Sequence, residues 1–154
     1  MDIRRFDRER HDVTKVAELI VRAQTDSDSD PRSSRGMIID LIRAGNYFLG
    51  HENILVSCSG NEITGLAIGY KGSGKDELLT LLRLLVSLRL SEFVSYLTLT
   101  ARLLHGNFTP DIGDDEFYIS ALAVDEMHRR KGIGSLLLGH SLERARGQRC
   151  RNVV

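Results

Sequence analysis

Arg129-Arg130-Lys131-Gly132-Ile133-Gly134 is the stretch whose residue types and spacing most clearly imply chemistry. It follows an apolar run ending at Val124 and opens a helical pattern, so it reads as a turn from a strand into a helix. The first turn of a helix leaves N–H groups unpaired, and the helix dipole adds positive potential there. Gly132 and Gly134 carry no side chain to hold a phosphate away from those amides, and three cations stand beside them. The chemistry implied is an anion cradle. Charge supports the location: residues 125–151 hold seven Lys/Arg against three Asp/Glu, a local net of +4, while residues 1–124 carry −4. The bland alternative is a solvated basic turn whose glycines merely permit a tight bend. The strand–turn–helix setting favours the cradle.

Two other motifs compete. Gly69-Tyr-Lys-Gly-Ser-Gly74-Lys75-Asp76 nearly matches the phosphate loop G-x-x-x-x-G-K-[ST]. However, Asp76 replaces the magnesium-binding hydroxyl, and the preceding strand reads as half of a hairpin where that loop needs a parallel βαβ unit. Asp26, Asp28 and Asp30 have the opening spacing of a calcium loop, but Pro31 and Met37 stand where it needs glycine and glutamate. No metal site is expected. Cys58 and Cys150 form no ligand pair and read as reduced thiols.

The elements that must position the cradle follow from periodicity. Residues 1–6 read as an opening strand. A helix is expected over 12–24, capped by Asp12, with Val13, Val16, Ala17, Ile20 and Ala23 inward. Residues 24–35 read as a loop, and a second helix over 35–44 turns Ile38, Leu41 and Ile42 inward before Gly45 ends it. Residues 47–58 and 62–70 read as strands joined by a turn at Ser59-Gly60-Asn61. Residues 76–104 read as one long helix or two, and 105–115 as a loop. A strand over 117–124, a helix over 132–146 and a last strand starting near 149 complete the order. Gly139 inside that helix suggests close packing on the sheet. The expectation is a single domain over 1–154 of α/β class, an α+β mixed sheet.

Composition agrees. With 154 residues, 42% apolar and 27% charged, a core can form without disulfides or metals. Equal numbers of basic and acidic side chains, 21 of each, remove a global case for nucleic-acid binding. Residues 78–104 hold 12 leucines, but Arg83, Arg89, Glu92 and Arg102 interrupt them, so no membrane span is expected. No secretory signal is visible at the amino terminus, and the protein reads as soluble and cytoplasmic.

Arg129, Gly132 and Gly134, five residues beyond a strand ending Ala121-Leu122-Ala123-Val124, resemble the acyl-CoA-binding motif Q/R-x-x-G-x-G/A of the GNAT superfamily of N-acetyltransferases. The element order before the motif is also similar to that family's. The resemblance implies a GNAT-like acyltransferase fold with a helical insertion at about 76–104. It implies acetyl-CoA as co-substrate, its pyrophosphate held by amides from Arg130 to Ser135 (Lys131 and Ile133 included). Backbone groups of Leu122, Ala123 and Val124 would pair with the pantetheine arm where the strands at 117–124 and 149–154 splay apart. Members usually continue with another helix and two more strands, so this sequence reads as a family domain ending at its fifth core strand. A homo-oligomer could cover the resulting open edge or use the helices at 76–104.

The reaction so implied is attack of an acceptor amine on a thioester, which needs a base and an oxyanion donor. Strand alternation puts Glu116, Tyr118, Ser120 and Leu122 on one face and Phe117, Ile119, Ala121 and Ala123 on the other. Glu116 is the candidate base, assisted by Tyr118, with Ser120 beside them; a solvated strand entry is the equal alternative. The function read here is N-acetylation of a primary amine on a small molecule, peptide or protein. The alternatives are a GNAT-like CoA-binding or interaction module without turnover and, more remotely, a phosphate-loop nucleotide binder.

Overall fold

The computed structural model describes residues 1–23, 31–45, 50–72 and 112–154. The acidic stretch 26–30, the helical insertion expected at 76–104, the second half of the phosphate-loop-like motif and residues 105–111 lie outside the described residues. Five strands form one sheet in the order β1-β2-β3-β4-β5: Asp2–Arg5, Ile54–Ser59, Glu62–Lys71, Glu116–Val124 and Asn152–Val153. Neighbours are antiparallel except β4 and β5, which run parallel. Helices α1 (Val13–Ala23) and α2 (Pro31–Ala44) cover one face, and α3 (Ile133–Gly147) the other. Among the described residues no helix is long and apolar enough to cross a membrane.

Helix α1 forms where its periodicity predicts, except that Ala23, expected inward, is exposed in its last turn. Asp12 accepts from the Thr14 N–H at 2.8 Å, and Val13, Val16, Ala17 and Ile20 are buried, joined by Leu19. From α2, Ile38, Leu41 and Ile42 enter the same core, packing with Val56, Leu66 and Ile68 of the sheet. Gly45, at φ +66°, ends α2, and Gly60, at φ +62°, turns the hairpin. The opposite core is smaller: Leu55, Ala67, Ile133 and Leu137, with Ile3 and Val124 against them.

Several expectations are corrected. Helix α2 starts at Pro31, not at residue 35, because proline suits a first helical position where its missing N–H is no loss. Residues 51–53 form a 3-10 turn rather than strand, closed by the Asn53 N–H on the Gly50 carbonyl at 2.9 Å. Strand β5 begins at Asn152, not near 149. The chain first unwinds from α3 through Arg149 at φ +58°, with the Cys150 N–H bonded back to Ala145 at 3.1 Å. Gly139 meets nothing within 4 Å of a Cβ, so close packing does not explain it. Strand β3 is antiparallel to both neighbours, so the strand leading into Gly69 is not the parallel strand a phosphate loop requires.

The correction that matters most for the site is in β4. Ile68 pairs with Ala121 but Gly69 pairs with Ile119, so Ser120 is an extra residue in a β-bulge. Strict alternation therefore fails. Phe117 lies on the α3 face with Arg144 over its ring at 5.9 Å, and Leu122 lies on that same face near Gly134. Tyr118 lies on the α1 face, edge-on to Tyr70 at 5.7 Å between centroids.

Candidate functional site

Strand β5 pairs with β4 only at its entry, Glu116 with Asn152 and Phe117 with Val153. One more bond, from the Ile119 N–H to the Val154 carbonyl at 2.8 Å, closes the paired stretch. Past the bulge, the Asp125 N–H donates to Thr64 of β3 at 2.9 Å. Antiparallel alternation from that bond turns the main chain of Ala123 toward β3 and that of Leu122 and Val124 away from it. Among the described residues nothing pairs with that outward edge, and Leu122 is 40% exposed on it. It is suited to an extended amide-bearing chain lying as an added strand.

A 3-10 turn, Glu126–His128, leads from this edge to the basic turn. There Arg130 takes φ +61° and Gly132 φ +77°, left-handed steps that curl the main chain before α3. The first helical bond is from the Leu136 N–H to the Gly132 carbonyl at 3.1 Å. That leaves the N–H groups of Ile133, Gly134 and Ser135 without a carbonyl one turn back, so they are free for an anion. A Cβ on Gly132 would meet nothing within 4 Å, so the requirement for glycine there is its φ and an unobstructed face. A Cβ on Gly134 would touch Leu122 Cδ2 at 3.5 Å, an ordinary contact.

The three cations behave differently from a simple charged cluster. Arg129 Nε donates to the Val124 carbonyl at 3.3 Å and Lys131 Nζ to the Met127 carbonyl at 3.2 Å. Both thus brace the turn, while all three remain exposed and add positive potential. Leu122, Ala123, Val124 and Arg129 also line a cleft of about 240 Å³ between β4 and the last turn of α1. Leu19, Arg22 and Ala23 form its other wall, and Asp125 and Glu126 close one end. The α1 residues were not found from sequence, because nothing local in an amphipathic helix signals which end meets a cleft.

The candidate catalytic residues are spread along β4. Glu116 sits at the strand entry, where its Oε2 accepts from the Gly113 N–H at 3.0 Å and Oε1 lies 3.5 Å from Asn152 Nδ2. Tyr118 is half-buried, and Ser120 occupies the bulge with its Oγ 3.5 Å from the Ile68 carbonyl. At about 3.3 Å per residue, Ser120 is ~13 Å from Val124 and Glu116 about twice that. The structure thus gathers residues 122–124 and 129–135 at one end and places Glu116 at the other.

Asp125, 7% exposed, is the buried charge nearest the cradle. A 2.7 Å bond from Lys15 Nζ holds its carboxyl below the usual aspartate range, helped by the Met127 N–H and opposed by burial. Among the described residues no cluster of three or more His, Cys, Asp or Glu is placed to hold a metal ion.

Comparison with known proteins gives the family and the fold. A family model described as the acetyltransferase (GNAT) family matches residues 15–154. An N-acetyltransferase from Staphylococcus aureus Mu50 superposes with a TM-score of 0.71 at 22% identity, covering 94% of this chain and 76% of that one. A GNAT family acetyltransferase from Brucella melitensis, solved in complex with acetyl-CoA, gives 0.56 at 14% identity, with 99% and 72% covered. An aminoglycoside antibiotic 6′-N-acetyltransferase from Acinetobacter haemolyticus gives 0.51 at 13%, with 99% and 77% covered. These likenesses establish the fold. No curated protein matches the chain.

Proposed function

The chain belongs to the acetyltransferase (GNAT) family, and from that membership together with its site we propose that it transfers an acetyl group from acetyl-CoA to a primary amine of a small molecule, peptide or protein. The observation that carries the reading is the continuity of two features. The strand edge at residues 122–124 opens directly toward the amide cradle that starts α3. A pantetheine arm joined to a pyrophosphate needs both, in that order and within one short span.

In this reading Leu122 and Val124 pair through their main chain with the amides of the arm, while Ala123 holds the strand to β3. The N–H groups of Ile133, Gly134 and Ser135, continued through Arg130, Lys131 and Gly132, hold the pyrophosphate. Arg129 fixes the turn through Val124, and the exposed Arg130 adds charge. The thioester then lies near the bulge, where Ser120 and the adjacent main chain face the developing oxyanion. The acceptor nitrogen forms its bond to the acetyl carbon as the carbon–sulfur bond breaks. The ammonium proton passes to a base, and the thiolate takes a proton as it leaves. Glu116, reaching through water, and Tyr118 are the side chains proposed for this proton traffic.

One observation favours a second reading, a CoA-binding module without turnover: the Glu116 carboxylate is already engaged by the Gly113 N–H. Thiol release from acetyl-CoA, measured against a panel of amines, peptides and polyamines, separates the two. Turnover on any acceptor supports the enzyme. Stabilisation by CoA with no turnover supports the module. Absence of any CoA binding overturns both.

A further inference from the structure

We propose that Lys15 and Asp125 form a positioning pair that sets the cradle for the pyrophosphate, acting from α1 across the cleft; this rests on the acetyl-CoA reading above. Asp125 is where β4 ends and the turn into α3 begins. Its main-chain N–H is tied to Thr64 of β3 at 2.9 Å, and its carbonyl accepts from the His128 N–H at 2.9 Å. Its carboxylate accepts from the Met127 N–H at 3.1 Å and from Lys15 Nζ at 2.7 Å. His128 Nδ1, buried and without a hydrogen-bond partner, stands 3.7 Å from the same carboxylate. One side chain therefore holds the whole Glu126–His128 turn, and its counter-cation comes from a helix 110 residues away in sequence.

Two features argue that this pair serves the site. A largely buried Lys–Asp pair adds little net stability, because desolvation of both charges offsets their attraction; what it adds is a fixed geometry. The geometry it fixes is demanding. Arg130 adopts φ +61°, which a residue with a side chain keeps only where its surroundings hold it. The remaining braces, from Arg129 and Lys131, are on exposed side chains, whereas the side chains of Lys15 and Asp125 are 27% and 9% exposed. Amides that bind an anion act well only when they are held in place beforehand.

The test uses the full chain and the double variant Lys15→Met/Asp125→Asn, which leaves no carboxylate buried without a partner. Calorimetric titration is made with acetyl-CoA and with S-acetylpantetheine, which lacks the pyrophosphate. The Kd for acetyl-CoA is expected to rise about tenfold or more while that for S-acetylpantetheine stays unchanged. Lys15→Arg, which keeps the cation, is expected to bind both as the wild type does. Unchanged acetyl-CoA affinity in a folded double variant overturns the proposal, and so does equal weakening of both ligands, which marks general loosening. If the wild type binds no acetyl-CoA, the functional reading fails first and the positioning role falls with it; wild-type binding with an unaffected variant removes the positioning role alone.

Discussion

The two halves of β4, divided at Ser120, are used in opposite ways. The first half is paired on both sides, with β3 through Tyr70 and Lys71 and with β5 through Asn152 and Val153. Its Phe117 is fully buried under Arg144, whose guanidinium also bonds the Glu52 carbonyl at 2.9 Å. Among the described residues the second half pairs with β3 alone, exposes Leu122 and leads through a 3-10 turn to the left-handed steps at Arg130 and Gly132. The first half spends its hydrogen bonds on the fold; the second withholds them. The inserted residue divides the two halves, since a bulge bends the strand it sits in and exchanges the faces of the residues beyond it. Variants in the first half should therefore alter stability with little change in ligand affinity, and variants beyond the second half should do the reverse.

The largest effect is expected at Gly132. Replacement by glutamate forces a side chain into φ +77° and sets a carboxylate among the amides proposed to hold the pyrophosphate. Acetyl-CoA affinity should fall by about a hundredfold, or ~3 kcal/mol, read by titration calorimetry. Gly132→Ala isolates the backbone part. Nothing lies within 4 Å of the added Cβ, so only the left-handed penalty of about 1–2 kcal/mol remains. Gly134→Ala should bind almost normally, because its Cβ meets Leu122 at an ordinary 3.5 Å. Glutamate at 132 with unchanged affinity would remove the cradle from the second half and collapse the contrast.

Next in size is Gly69, opposite the first half. A Cβ there would stand 2.5 Å from Phe117 Cε1, and that ring is fully buried and has little room to move. Gly69→Ala should cost about 1–3 kcal/mol of stability by chemical denaturation. Affinity for acetyl-CoA should be almost unaffected at temperatures where the variant is folded. A large affinity loss would show that the two halves are coupled through the bulge.

A smaller effect, and a pH-dependent one, belongs to Asp125. Lys15 favours its ionised form in the folded chain, against burial, with the Met127 N–H and His128 adding to the same side. A carboxyl held below its ordinary 3.8 contributes stability that is complete above that value and fades as pH falls through the lower folded one. The difference in Tm between wild type and Asp125→Asn should therefore be constant from about pH 5 to 8 and shrink only in stronger acid. A difference that shrinks near neutrality would contradict the bonding described at the end of the second half.

Much of this contrast could be read before the structure. The spacing of Val13, Val16, Ala17 and Ile20 declares α1, Gly45 and Gly60 mark turns, and Gly132 and Gly134 mark the turn that opens α3. Each is a local signal: a period, a left-handed residue or an absent side chain. The bulge was not legible, because Glu116 to Val124 alternates acceptably in either register and the extra residue is defined only by the partner strand. The start of α2 was missed because Pro31 reads equally as a breaker and as a first helical residue. Lys15 and Arg22 were missed because their partners lie in another part of the chain. No local pattern on α1 separates a lysine that meets a buried aspartate from one that meets water.

The smallest effect is expected on α3 itself, and it sharpens the contrast by separating the helix from its first turn. Gly139 is exposed and mid-helix, and a Cβ there would meet nothing within 4 Å. Alanine in that position restricts the unfolded chain and suits the helix, so Gly139→Ala should stabilise by about 0.5–1 kcal/mol. The amides proposed to bind the anion lie at residues 133–135, more than a turn away, and their free N–H groups depend on the helix start rather than on its interior. A higher Tm with unchanged acetyl-CoA affinity would show that helix stability and cradle geometry are set independently. A higher Tm with tighter binding would instead mean that α3 frays from its middle in the free protein, and that the cradle is only as well formed as the helix behind it.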